Sequence, residues 1–293
     1  MDNLISLIKK KYPNLSKGHK AIASYIINHY DKAAFMTAAR LGEEVGVSES
    51  TVVRFPVELG FSGYPMLQKE LKEVIKSKLT AAQRLEVSSN RIDKDNVLKS
   101  VLQSDMNKIK MTMEEIDIDN FNLITEEILS ARHIYIMGVR SSAPLASFLG
   151  FYFNLIFENV RLVHTTSVSE MFEQILNARK GDVVIGVSFP RYSRRTTKAI
   201  QFAKKQGATA IAITDNEDSP LAKSSNYSLY ARSDMNSFVD SLVAPLSVIN
   251  ALIVAIGLKK KNHIQENLEK LERIWDEYQV YEKGEPYTTH QTD

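Results

Sequence analysis

The sequence has no cysteine. That excludes a disulfide framework, a thiolate zinc site and a cysteine nucleophile, and it is compatible with a reducing cytoplasm. No run approaches the roughly 20 apolar residues that a membrane span requires. The first twenty residues hold no apolar core followed by a small-residue cleavage site, so no secretory signal is expected. There is also no GxGxxG and no Walker lysine loop, which weakens a nucleotide reading. No fixed-period repeat appears beyond an alternation of strands and helices. With 44% hydrophobic and 25% charged residues the chain reads as globular, and 293 residues suit two domains.

The net charge of +2 is unevenly spread. Residues 1–78 hold twelve Lys/Arg against eight Asp/Glu, and the remainder 25 against 27. A basic head on a weakly acidic body points the head toward a polyanion.

Residues 1–78 read as helices only. Leu4, Ile5, Leu7 and Ile8 form one apolar stripe, and Ser16 caps a helix carrying Ile22, Tyr25, Ile26 and Tyr30. A third segment starts near Thr37 and ends at Gly46, a fourth follows Ser48, and a fifth runs from Tyr64 to Lys78. Residues 79–96 are polar without a sustained period and read as a linker. A helix over 97–116 follows, with Val101, Leu102, Met106, Ile109 and Met113 on one face, then another over 121–130.

At His133 the pattern changes. The runs 134–138, 160–164, 183–188, 209–214 and 227–231 look like buried strands, separated by helical segments. Strands apolar on both faces belong to a parallel sheet covered by helices. The expectation is an all-α helix-turn-helix domain followed by an α/β domain with a doubly wound five-stranded parallel sheet. The boundaries are a head over 1–78, a linker over 79–96, an α/β domain with leading helices over 97–283, and a frayed tail over 284–293.

Within the head, TAARLGEEVGVSESTVVRFPVEL (37–59) has the form of a DNA-binding helix-turn-helix. Leu41 and Val45 are expected to pack against Val52 and Val53, with Gly46 and Val47 at the corner. Ser48 supplies the N-cap of the second helix, whose exposed start presents Glu49, Ser50, Thr51 and Arg54. Hydroxyls there suit phosphates or base edges, and an arginine suits guanine or phosphate. Pro56 lies two turns into this helix, which either kinks there or ends near Phe55.

The run from Met36 to Leu71, with STVVRF, LGFSGY and the leucine-rich helix after it, resembles the N-terminal domain of the RpiR family of bacterial transcriptional regulators. The resemblance implies a domain that binds operator DNA as a dimer. It makes Ser48, Ser50, Thr51 and Arg54 the readers, has Gly63 and Tyr64 position the following helix near the DNA backbone, with Tyr64 counted among the DNA-binding residues, and offers Lys69 as a phosphate contact. Glu49 is an oddity on such a surface unless it accepts from a cytosine amine.

In an open parallel sheet, ligands sit beyond the carboxyl ends of the strands. There, GVRSSA (138–143) and SFPRYSRRTT (188–197) each lead into a helix whose N-terminus favours an anion. Ser141, Ser142, Ser193, Thr196 and Thr197 add hydroxyls; Arg140, Arg191, Arg194 and Arg195 add charge. A phosphorylated small molecule fits this chemistry. Residues 124–258 resemble the sugar isomerase (SIS) domain, whose phosphosugar site uses Ser/Thr-rich loops after its first and third strands. By position Ser141 and Ser142 match the first loop, and Ser188, Ser193 and Thr196 the second. The sequence departs from that pattern where PRY follows Phe189 and Arg194 stands in place of an expected glycine. That cation either pairs with the ligand or blocks the pocket, and Arg191 and Tyr192 either reach into it or face solvent.

An aldose–ketose isomerase needs a base placed between adjacent carbons. His164, Glu170 and Glu173 are the candidates, and no acid–base pair stands out among them. The expected function is a cytoplasmic transcriptional regulator, dimeric or tetrameric, with operator DNA and a phosphorylated sugar or similar anion as partners and with no cofactor, metal or membrane. The alternative is a sugar-phosphate isomerase.

Overall fold

The computed structural model describes residues 4–78, 83–85, 95–164, 167–234 and 237–281. The expected tail, and the expected linker apart from residues 83–85 and 95–96, lie outside the described residues.

The head is helical throughout: α1 (Leu4–Lys11), α2 (Lys17–Ala33), α3 (Ala38–Val45), α4 (Glu49–Leu59) and α5 (Tyr64–Lys78). Its starts follow the sequence signals. Ser16, Thr37 and Ser48 each accept, through the side-chain oxygen, the backbone N–H three residues on. The apolar faces of the helices close on one core, where Ile8, Ile22, Ile26, Leu41, Phe55 and Leu67 are fully buried.

The corner between α3 and α4 is a Schellman turn. Val47 N–H donates to Gly42 O (2.9 Å) and Gly46 N–H to Glu43 O (3.4 Å), with Gly46 left-handed at φ 71°. Gly42 is as necessary as Gly46, because a Cβ on it would meet the Val47 carbonyl oxygen at 2.8 Å. Two expectations change here. Val53 does not pack inward: it is 45% exposed, and the buried stripe of α4 is Val52, Phe55, Pro56 and Leu59. At about 100° per residue the buried stripe covers one side of the helix, and Val53 falls just beyond its edge. The helix also does not end at Phe55. It runs through the buried Pro56 to Leu59, where Gly60 (φ 96°) closes a second Schellman turn.

The second part begins with α6 (Val97–Glu115) and α7 (Ile118–Leu129). The strands β1 (Ile134–Gly138), β2 (Val160–Val163), β3 (Val183–Val187), β4 (Thr209–Thr214) and β5 (Tyr227–Tyr230) form one sheet in the order β2-β1-β3-β4-β5, all parallel. The helices α8 (Ala143–Ile156), α9 (Val168–Ile175), α10 (Arg194–Lys205), α11 (Val243–Lys259) and α12 (Lys261–Glu277) complete it. The period-2 alternation of strands divides the core. Ile134, Ile136, Ile185 and Ile213 pack with α7, α8 and α11 on one face. Tyr135, Met137, Val184 and Ala212 pack with α9 and α10 on the other. This is the doubly wound five-stranded arrangement that the alternation of strands and helices predicts.

In α6 the apolar stripe faces away from the rest of this chain. Leu98, Leu102, Met106, Ile109 and Met113 are exposed, whereas Lys108 and Thr112 are buried. The inner side is polar because it meets the segment after β5. Thr112 Oγ1 accepts from Arg232 N–H at 2.9 Å, and Ser241 Oγ donates to the Asp105 carboxylate at 2.6 Å. Burial pushes the Lys108 ammonium below its ordinary pKa, against the opposing pull of Asp105.

Candidate functional site

Two sites take shape, one on each part of the chain. On the head, Ser48 fixes the start of α4. Its Oγ accepts from Thr51 N–H at 3.3 Å and lies 2.9 Å from Ser50 Oγ and 2.8 Å from Thr51 Oγ1. Ser48 and Thr51 thus bind the corner together. The outward surface of α4 consists of Glu49, Ser50, Val53, Arg54 and Val57, all exposed, and Lys69 on α5 is exposed as well.

Tyr64, expected to position α5 and counted among the DNA-binding residues, serves the first role and has no exposed face for the second. It is buried, and its hydroxyl donates to the Met36 carbonyl at 2.9 Å, beside Gln68 Nε2 at 2.7 Å on the same oxygen. Burial pushes its phenol up to about 12. Tyr64 therefore pins α5 to the chain just before α3. The residues that sequence reasoning missed on this surface are Val53 and Val57. Apolar side chains exposed between Ser50 and Arg54 suit the methyl group of thymine.

The second site lies at the carboxyl edge of the sheet. β1 ends at Gly138, where a Cβ would sit 2.6 Å from the Ser142 carbonyl oxygen. Glycine there lets the chain fold back into a 3-10 turn over Arg140–Ser142 before α8. β3 leads into Ser188, whose Oγ accepts from Ser193 N–H at 3.1 Å, and Ser193 Oγ caps α10 by accepting from Thr196 N–H at 3.2 Å. Between these loops lies a cavity of about 290 Å³. It is lined by Arg140, Ser141, Ser142, Ser188, Arg191 and Ser193. Six of the eight residues expected to bind ligand thus meet in one place.

The other two do not line it. Arg194 is exposed on the first turn of α10, and Thr196 is fully buried beneath that turn. Of the inserted residues, Arg191 lines the cavity, while Tyr192 turns its hydroxyl to the Asp215 carboxylate at the end of β4 (3.0 and 3.1 Å). The insertion is thereby anchored across the sheet edge.

Both cavity loops carry an arginine in the left-handed region, Arg140 at φ 56° and Arg191 at φ 66°. Among the described residues, Gln279 is the only other non-glycine residue there. Such strain persists only where surrounding structure imposes it, and it clusters at ligand sites. The hydroxyls of Ser141 and Ser142 have no hydrogen bond among the described residues, so they are available to a bound molecule.

The far wall was not expected. Phe238, Val239, Asp240 and Leu242 come from the segment between β5 and α11, and Arg84 from the stretch after α5. Arg84 Nη1 donates to Asp240 Oδ1 at 2.6 Å. Burial raises the Asp240 carboxyl above its ordinary value, and Arg84, then Arg191, oppose that rise. No local signal marks this pair, whose members lie 156 positions apart.

His164, Glu170 and Glu173 are absent from the lining, and among the described residues Asp240 is the one carboxylate within it. Among the described residues no group of three or more His, Asp or Glu is placed to hold a metal ion. A larger depression, of about 770 Å³, lies at the opposite edge of the sheet around Arg132, His133 and Arg161. It is outside the strand ends where parallel sheets take ligands.

Comparison with known proteins matches both parts. Residues 2–78 match the helix-turn-helix domain of the rpiR family, and residues 127–255 match the SIS domain. An HTH-type transcriptional regulator of Caldanaerobacter subterraneus is 26% identical over 282 residues, covering 94% of this chain and 97% of that protein. Another from Clostridium perfringens is 27% identical over 215 residues, covering 73% and 76%. Among solved structures, the sugar isomerase domain of an RpiR transcription factor from Sphaerobacter thermophilus has a TM-score of 0.57 at 25% identity, over 60% of this chain and 98% of that one. The Vibrio vulnificus NanR protein, solved in complex with ManNAc-6P, has a TM-score of 0.59 at 20% identity, over 93% and 99%.

Proposed function

We propose, from the premise that this chain belongs to the RpiR family of helix-turn-helix transcriptional regulators with a SIS domain, that it binds operator DNA under the control of a phosphorylated sugar. The observation that carries the reading is the convergence of two Ser/Arg loops on one cavity at the carboxyl edge of the sheet. Serine hydroxyls and guanidinium groups around a cavity of this size recognise a phosphate monoester. A protein of the same fold, NanR, is bound to such a molecule, ManNAc-6P.

Ser50, Val53, Arg54 and Val57 enter the major groove, with Lys69 on the phosphate backbone. The exposed stripe of α6, from Leu98 to Met113, is covered by a second copy of the chain. That pairing presents two heads to the half-sites of a palindromic operator, about 34–36 Å apart or multiples of it. Ligand acts by favouring one arrangement of the heads, to the extent of its differential affinity for the two. The protein works where the chromosome is, in the cytoplasm. An isomerase is disfavoured by the cavity lining, which among the described residues offers no histidine and one carboxylate, already paired with Arg84.

The test is a gel shift on the DNA flanking the protein's own gene, with and without a panel of hexose and hexosamine phosphates. Arg54→Ala should weaken operator binding about tenfold or more, as loss of one bidentate contact does. Ser142→Ala should leave DNA binding intact and abolish the sugar-phosphate response. Unchanged operator affinity in Arg54→Ala, or turnover of a phosphosugar by the chain without DNA, overturns the reading.

A further inference from the structure

Arg84 stands apart from its surroundings in the sequence. It lies between the two family-matched regions, which end at residue 78 and resume at residue 127. The stretch around it shows no sustained apolar period. Nevertheless its side chain is 1% exposed, among the most deeply buried of the large side chains described. A guanidinium is taken out of water only where opposite charge meets it, and here Asp240 does so at 2.6 Å. The place where this happens is the wall of the cavity.

The segment that supplies Asp240 has two sides. Toward the cavity it contributes Phe238, Val239, Asp240 and Leu242. Away from it, Ser241 Oγ donates to Asp105 on α6, and Arg232 N–H donates to Thr112 on the same helix. One short segment therefore touches the ligand space, the stretch bearing Arg84, and the helix that follows that stretch. Among the described residues the charges lining the cavity are Arg84, Arg140 and Arg191 against Asp240, a surplus of two positive charges that matches a phosphate dianion.

We propose that Arg84 is a ligand-binding residue, a guanidinium delivered to the sugar-phosphate cavity by the stretch between the two domains and shared there between Asp240 and the ligand's phosphate. The proposal rests on the reading of the cavity given above and adds the part of the chain that reports its occupancy. An anion that shares the Arg84 guanidinium holds the stretch against the α/β domain. An empty cavity lacks the anion's share, while the pair with Asp240 remains. Arg84 follows the end of α5 at Lys78 by six positions in the sequence. By linkage, the free energy with which the anion favours the docked stretch is the free energy by which docking favours the anion.

Calorimetric titration of the full chain with inorganic phosphate, and then with glucose 6-phosphate, tests this. Arg84→Gln should weaken phosphate binding about tenfold, the loss of one charge-assisted hydrogen bond. Arg84→Lys should retain most of the affinity, since the charge remains. Asp240→Asn should tighten binding several-fold, because the guanidinium is released to the anion. A purely structural pair has no reason to move affinity in opposite directions. The second readout is tryptic cleavage after Arg84, followed by mass spectrometry. Phosphate at ten times its Kd should slow cleavage about tenfold and leave cleavage after the exposed Arg273 on α12 unchanged. Should Arg84→Gln fail to fold, Arg84→Lys and Asp240→Asn carry the same comparison. If the Arg84 and Asp240 variants bind phosphate like the wild type while Ser142→Ala does not, the cavity reading stands and the role of Arg84 is overturned. If the wild type takes up neither phosphate nor glucose 6-phosphate, both fall together.

Discussion

The sheet has two edges, and the chain turns differently at each. At the amino edge it enters β3 and β4 through Gly181 and Gly207, both left-handed at φ 88° and 91°. At the carboxyl edge it leaves β1 and β3 through Arg140 and Arg191, left-handed as well. Glycine adopts that conformation freely, whereas an L side chain is disfavoured there by about 1–2 kcal/mol. The amino-edge turns serve only to reverse the chain. The carboxyl-edge turns place a guanidinium in the cavity, and the strain is held by the bonds around it: Ser193 N–H to Ser188 Oγ, and Tyr192 to Asp215. A residue type that is poor for its backbone marks a turn kept for its side chain.

The sharpest way to break this contrast is at the single glycine on the carboxyl edge. Gly138 has no special φ and is required for space, since a Cβ would meet both the Ser142 carbonyl oxygen at 2.6 Å and Ala146 Cβ at 3.0 Å. Gly138→Ala should therefore destabilise the α/β domain by about 2–3 kcal/mol in urea unfolding. It should also abolish phosphate binding, because the Arg140–Ser142 turn must move aside. Near wild-type values in both measurements would show that the loop is not held by this close approach.

Substituting at the two kinds of turn should give opposite signs. Gly207→Ala places a side chain at φ 91° and should cost about 1–2 kcal/mol with phosphate affinity unchanged. Arg191→Gly relieves a similar strain but adds freedom to the unfolded chain, which takes back about 0.4–1 kcal/mol. The net gain should be roughly 0.5 kcal/mol, or about 1–2 °C in Tm. Phosphate affinity should fall about tenfold in the same variant. A protein that becomes more stable as it loses its ligand is the signature of strain retained for binding. Destabilisation by Arg191→Gly would instead make the arginine a structural prop.

What the sequence makes legible is what short-range physics governs. Ser16, Thr37, Ser48 and Ser193 cap helices as their positions predict. The apolar runs from Ile134 onward become the strands of the sheet, and the two loops that close the cavity are visible as hydroxyl- and arginine-rich strand ends. Long-range pairing leaves no such trace. Arg84 lies in a stretch with no sustained apolar period and Asp240 in a mixed one between Val239 and Ser241, and only the fold brings them together. The stripe on α6 shows the reverse failure. Leu102, Met106 and Met113 have the right spacing for a buried face, yet they are exposed and the polar side of the helix turns inward. Tyr64 misleads for a third reason, because a tyrosine beside a helix-turn-helix serves contact with DNA and packing of the helices equally well.

The smallest effect tests where the cradle ends. Thr196 begins α10 in the loop matched to a phosphosugar site, yet it is fully buried and absent from the cavity lining. Its hydroxyl has no hydrogen-bond partner. A buried hydroxyl without a partner is destabilising relative to a methyl group of the same shape, by about 1 kcal/mol or more. Thr196→Val keeps the branched shape and removes the unsatisfied oxygen. With α10 already capped by Ser193 through the Thr196 backbone N–H, the substitution leaves that bond in place. Urea unfolding should accordingly show a gain of up to about 1 kcal/mol, and calorimetry an unchanged phosphate affinity. Weaker phosphate binding in Thr196→Val would mean that the hydroxyl turns to the ligand when one is present. The carboxyl-edge site would then extend beneath the first turn of α10, and the contrast between the two edges would gain a buried polar group held in reserve beside its two strained arginines.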